Sequence, residues 1–103
     1  MRKFLFLYFD KIIYEIKESE VDTMTFQEAV SKRIFELCEK FNYTPNGLAE
    51  ASCVPPSSLQ NITSCRNTNP SSFVIFLLCN TLGITIKDFF DSDLFNPKNI
   101  IIQ

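Results

Sequence analysis

Few side chains in this sequence can react, and the ones that can recognise another molecule sit close together. There is no His, and Cys38, Cys53, Cys65 and Cys79 include no C-x-x-C pair, so the ligand spacing of a structural zinc site is missing. No carboxylates pair at a spacing suited to acid–base work, and no glycine-rich loop could cradle a phosphate. The expectation is a chain that is not an enzyme and takes no metal or cofactor. What remains is hydrogen-bonding chemistry, concentrated in the adjacent carboxamides Gln60 and Asn61 with Ser57, Ser64 and Arg66 around them. A carboxamide holds a donor and an acceptor side by side, which matches the N6 and N7 edge of an adenine.

Those carboxamides need an element to present them, and the prolines define it. Pro55-Pro56 forbids helical geometry at Val54 and Pro55, so a helix can begin only at Pro56, with Leu59 and Ile62 as its buried pair. That leaves Pro56, Ser57, Gln60 and Asn61 outward, with Ser64 and Arg66 in the loop that follows. Upstream, Thr44-Pro45 reads as an N-cap followed by proline at the first helical position. It opens a short helix with Leu48, Ala49 and Ala51 inward, which must end by Ser52.

Flanking segments supply the rest of an all-α, five-helix architecture. Thr25 with Glu28 forms a capping box opening a helix over Phe26 to Phe41, with Phe26, Val30, Ile34, Leu37, Cys38 and Phe41 inward. Glu28, Lys32, Arg33, Glu36, Glu39 and Lys40 fall mostly on the other side. Asn69-Pro70 opens a fourth helix that continues from Phe73 to Leu82 and stops at Gly83, and Thr85 with Asp88 opens a last one through Phe89 and Phe90. No strand is required after residue 24.

At 103 residues there is room for one domain, and 46% apolar with 21% charged residues is a globular composition. Eleven Phe imply a core filled by rings. The cysteines are expected as buried, reduced thiols. Residues 1–23 form a short apolar extension, dense from Phe4 to Ile16, which reads as a short hairpin or as one helix, with helix the expectation taken. Its start imitates a signal peptide, but Asp10 and Lys11 cut the apolar run and no cleavage site follows, so the expected location is the cytoplasm, with no membrane partner. Without export, the glycosylation patterns at Asn42 and Asn61 are coincidental. Glu20-Val21 can be encoded by a purine-rich stretch resembling a ribosome-binding site, so translation from Met24 is an alternative start, and residues 1–23 would then lie outside the native protein. The expected division is 1–23 extension, 24–95 domain and 96–103 tail.

The run Thr44-Pro45-Asn46-Gly47-Leu48-Ala49-Glu50, then Val54-Pro55-Pro56-Ser57-Ser58-Leu59-Gln60-Asn61-Ile62, Asn69-Pro70, Leu82-Gly83-Ile84-Thr85 and Phe89-Phe90 resembles the Xre, or lambda-repressor-like (Cro/C1-type), helix-turn-helix family over about Thr25 to Phe95. The resemblance implies a sequence-specific binder of double-stranded DNA, a repressor-like transcriptional regulator of bacterial or phage origin, reading the major groove with helix 56–63. It matches the family's base-reading positions to Pro56, Ser57, Gln60 and Asn61, and its phosphate-contacting positions to Pro45 and Ser64. Asn46 and Arg66 complete the expected DNA-facing set. Three departures stand out. Pro45 replaces a frequent Gln and has no amide hydrogen, Cys53 and Cys65 replace glycines, and Phe73, Phe76 and Leu77 replace charged or polar residues.

Charge argues both ways. The whole chain carries −2, and residues 24–95 are acidic as well, so the usual basic footprint of a DNA binder is missing. Yet no carboxylate occurs from Ala51 to Lys87, which spares helix 56–63 that repulsion. With Arg66 alone to attract phosphate, a monomer should bind weakly, and a homodimer on two half-sites should restore affinity. Phe73, Phe76 and Leu77 either thicken the core or dock the N-terminal segment or a second subunit. They also support a second functional reading, a helix-turn-helix scaffold that binds a protein, such as an antirepressor or a toxin–antitoxin type partner.

Overall fold

The computed structural model describes residues 24–66 and 69–102. The expected helix or hairpin at 1–23, and the question of its start, lie outside the described residues. The described chain is mostly helical. A short strand β1 (Met24–Thr25) leads into α1 (Phe26–Phe41), α2 (Pro45–Ala51), α3 (Pro56–Thr63), α4 (Ser72–Leu82) and α5 (Ile86–Phe90). Two single 3₁₀ turns, Asp93–Phe95 and Pro97–Asn99, then return the chain to strand β2 (Ile100–Ile101).

Capping fixes where α1 begins and ends. The Thr25 hydroxyl accepts the Glu28 amide at 3.1 Å while the Glu28 carboxylate accepts the Thr25 amide at 2.8 Å. Asn42, in the left-handed region at φ 65°, closes the other end by donating its amide to the Cys38 carbonyl. The buried arc is wider than the apolar spacing implies, because α1 touches β1, α2, α3 and the first 3₁₀ turn. Ser31 and Lys32 are therefore buried, and Lys32 leaves the polar side expected for it. Phe26 goes the other way, 39% exposed, with its ring against Phe95. Ser31 offsets its burial by donating to the Thr63 carbonyl at 2.7 Å, which ties α1 to the end of α3.

Helix α2 begins as expected, with the Thr44 hydroxyl accepting the Gly47 amide at 3.0 Å. Its inward face is corrected by one residue. Ala51 is exposed and Ser52 is buried, donating to the Thr81 hydroxyl of α4 at 2.7 Å. Helix α3 starts at Pro56 with no side-chain cap, and the Pro55 carbonyl takes the Ser58 amide. Helix α4 starts later than the Asn69-Pro70 pattern implies. Ser71 is extended (φ −68°, ψ 133°) and its hydroxyl accepts the Phe73 amide, so the cap is Ser71 and Pro70 stays outside the helix. Gly83 at φ 74° ends α4, a conformation that suits glycine. Thr85 and Asp88 cap α5 reciprocally.

The expectation of a helix-only domain is corrected at its edge. β1 and β2 run parallel, pairing Met24 with Ile100 and Thr25 with Ile101. Buried Leu94 against Met24 and Ala29, and the Asn99 side-chain Nδ2 donating to the Asp93 carbonyl at 2.9 Å, turn residues 96–102 back alongside α1. The main core gathers Val30, Ile34, Leu48, Leu59, Leu78 and Phe89, with further apolar residues around them.

Two of the four thiols are buried, Cys38 and Cys79. Cys53 is exposed and Cys65 partly so, because both sit in surface turns at helix ends, with φ of 58° and 63°. A non-glycine residue in this region costs about 1–2 kcal/mol, and glycine gives back about 0.5–1 kcal/mol of that as chain entropy. We expect Cys53→Gly to raise unfolding free energy by up to about 1 kcal/mol, measured by urea titration. A lower midpoint would show that the turn carries no strain.

Candidate nucleic-acid interface

Helix α3 is divided cleanly between core and solvent. Leu59 and Ile62 are 1% and 2% exposed, which fixes the rotation of the helix about its axis. Pro56, Ser57, Gln60 and Asn61 consequently stand exposed on the outer side. Neither Gln60 nor Asn61 is tucked under a neighbouring described segment.

The end of α3 is shaped by its own backbone. Cys65 in the left-handed region lets the Arg66 amide reach the Asn61 carbonyl at 2.9 Å and the Cys65 amide reach Ile62 at 3.1 Å. This fold-back sets exposed Ser64 and Arg66 next to Asn61. The Arg66 guanidinium donates from Nε to the Ser64 hydroxyl at 3.1 Å, while the residue as a whole stays exposed. Arg66 is thus oriented as well as charged, which suits phosphate better than an unrestrained cation does.

Between the start of α2 and the side of α3 lies a shallow groove of about 450 Å³, lined by Thr44, Pro45, Asn46, Leu59, Gln60 and Thr63. Pro45, Asn46 and Gln60 of the expected set therefore meet in one place, while Pro56, Ser57 and Asn61 extend the same helix face and Ser64 and Arg66 close it. Thr44 and Thr63 were legible only as a cap and as a helix end, and they join the lining because α2 and α3 pack against each other. Pro45 contributes no amide hydrogen, so the side-chain donors at this end are those of Asn46 and Thr44.

Phe73 and Phe76 stand on another helix. Their element, α4, packs on α2 and α5, whereas α3 packs on α1 and α2. Phe73 is 64% and Phe76 48% exposed, and their rings stack with centroids 6.3 Å apart. Of the stripe, only Leu77 packs against the core. The role of Arg33 is one that sequence reasoning missed. Its guanidinium donates to the carbonyls of Phe89 at 2.7 Å and Asp88 at 2.9 Å, closing the C-terminal end of α5, and pairs with Glu36 at 3.2 Å. Nothing in the spacing of Arg33 separates it from the other charges of α1.

Two thiols titrate above their ordinary range. Burial, and secondarily the Asp88 charge, raises the Cys79 thiol, and burial with the Glu28 charge raises Cys65, so both stay protonated at neutral pH. Among the described residues no cluster of His, Cys, Asp or Glu could hold a metal ion, and no helix is long and apolar enough to cross a membrane. Asp88 is lowered by its hydrogen bonds to Thr85. Because its folded value lies below its ordinary 3.8, the stability it contributes is present above that value and is lost as pH falls through the folded one. An NMR titration should place the Asp88 carboxyl midpoint below 3.8, and the Thr85 amide should lose its downfield shift with it. A midpoint at or above the ordinary value would show that the capping box does not hold in solution. Comparison with family models, with curated proteins and with solved structures finds no match for this chain.

Proposed function

We propose that the protein binds double-stranded DNA sequence-specifically through α3, as a repressor-like helix-turn-helix regulator of the lambda-repressor-like type working in the cytoplasm. The observation that carries this reading is the exposed Gln60 and Asn61 pair on a helix whose rotation is fixed by buried Leu59 and Ile62. In this mechanism α3 enters the major groove, and each carboxamide donates to adenine N7 and accepts from the exocyclic amine. Ser57 and Pro56 lie at the leading end of the helix, where short side chains let the backbone come close to the bases. Arg66, held by Ser64, meets a phosphate beyond the helix end, and Asn46 with Thr44 meets another across the groove beside Pro45. The chain needs no cofactor and performs no catalysis in this role.

The absence of carboxylates from Ala51 to Lys87 supports the reading, because it spares the phosphate face like-charge repulsion. The exposed Phe73 and Phe76 favour a second reading, in which the same scaffold binds a protein partner and DNA contact is secondary. Selection from random duplex DNA at about 50 mM salt separates the two. The DNA reading expects one enriched motif, and a folded chain that enriches nothing would favour the protein scaffold. With a selected duplex, Arg66→Ala should weaken all sequences alike and reduce the salt slope by about 1.

A further inference from the structure

We propose that the base pairs read by α3 are A·T pairs, and that a methyl group on adenine N6 closes the site; both parts rest on the DNA reading. The major groove has its own reader for each base, with Arg or Lys for guanine, Asp or Glu for the cytosine amine, and Asn or Gln for adenine. No Arg, Lys, Asp or Glu lies between Glu50 and Arg66, so α3 and the turns on either side of it hold none of the charged readers of a G·C pair, whereas the adenine reader occurs twice. Exposed Pro55 and Pro56 add apolar rings without a donor, which suit a thymine methyl. Arg66, the first cation after the helix, has its Nε on the Ser64 hydroxyl.

Both carboxamides are ready for such a contact. The hydrogen bonds at these two positions fall on the backbone carbonyls, Gln60 accepting from the Thr63 hydroxyl at 3.3 Å and Asn61 from the Ser64 hydroxyl at 3.5 Å, and among the described residues neither side-chain amide has a partner. No internal bond has to break before a base edge replaces water. A bidentate contact uses adenine N7 and the N6 hydrogen on the groove side. In a paired adenine the other N6 hydrogen is committed to thymine O4, so a methyl group on N6 has to take the groove side. It removes the donor and stands where the carboxamide oxygen belongs, beside N7, and both halves of the contact are lost together. Phosphate contacts do not sense that methyl, which separates the two kinds of binding.

The test uses the full chain, the single variants Gln60→Ala and Asn61→Ala, and a motif selected from random duplex DNA. Each adenine of the motif is replaced in turn by N6-methyladenine, and affinity is read by filter binding at about 50 mM salt. At the adenine read by Gln60 the methyl should weaken binding by about tenfold or more, and Gln60→Ala, which already lacks the contact, should bind the methylated and plain duplexes alike. Asn61→Ala should do the same at a second adenine. A motif bound equally well with and without the methyl at every adenine, or one whose discrimination by Gln60 and Asn61 lies at G·C pairs, overturns the proposal and leaves sequence-specific binding standing. A loss on methylation that persists unchanged in both variants overturns it too, because the methyl then acts through another group. A folded chain that enriches no motif ends the DNA reading and this inference with it. Both side chains are exposed, so circular dichroism should show the fold retained in each variant.

Discussion

Replacing Gln60 and Asn61 together by Ala should abolish enrichment of any motif while leaving the fold untouched. Each bidentate carboxamide contact with a base discriminates by about 1–3 kcal/mol, so each loss should cost roughly thirtyfold against the selected sequence. Phosphate contacts from Arg66 and Asn46 would survive, and the variant should keep weak, sequence-indifferent binding at low salt. Because both residues are exposed, unfolding free energy should move by no more than about 0.5 kcal/mol. Filter binding on the selected and a scrambled duplex, with a parallel urea titration, reads both effects. Equal affinity for the two duplexes in the unaltered chain would show that these carboxamides do not read bases.

Leu59→Ala, one residue away, should have the opposite profile. Leu59 is 1% exposed in the main core, and truncating such a Leu costs about 2–5 kcal/mol. Domains of this size have total stabilities near the lower end of about 5–15 kcal/mol, and the left-handed Cys53 and Cys65 subtract from that. The melting midpoint should therefore fall by about 10 °C or more, with DNA affinity at 37 °C falling in proportion to the folded fraction. A thermal melt by circular dichroism checks the first part. A midpoint unchanged within a few degrees would mean that α3 is not anchored by Leu59, and the orientation of Gln60 would lose its support.

Much of the arrangement was legible because local chemistry agrees with the tertiary packing. The double proline fixes the start of α3, two threonine capping boxes fix α1 and α5, and Gly83 fixes the end of α4. Cys53 and Cys65 stand where the resemblance puts glycines, and the observed turns there have positive φ. The exposure of all of Pro56, Ser57, Gln60 and Asn61 follows from the inward Leu59 and Ile62.

What could not be read depends on distant partners. Ser31 lies in register with Ile34 and Cys38, so helical spacing alone would turn it inward, but its polarity hides it until Thr63 appears as its acceptor. Ser52 is buried for the same kind of reason, through Thr81, which lies 29 residues further along the chain. The start of α4 shifted because two adjacent cap signals compete, and the Ser71 hydroxyl outcompetes Asn69-Pro70. The β1–β2 pairing joins residues at opposite ends of the described chain and has only two residues per strand, too short for any periodic signal.

Whether the outer side of α3 is the surface that meets the duplex can be read directly from amide and carboxamide chemical shifts of the labelled chain, followed while a short duplex is added at about 50 mM salt. At that salt even a duplex of arbitrary sequence is held by its phosphates, so the contact surface reports itself whichever operator the chain prefers. The largest changes should fall on Ser57, Gln60, Asn61, Arg66 and Asn46, including the side-chain NH₂ groups of the carboxamides. Changes confined to α4 or to the acidic end after α5, or none at all with the protein folded, would contradict a role for α3 in the groove.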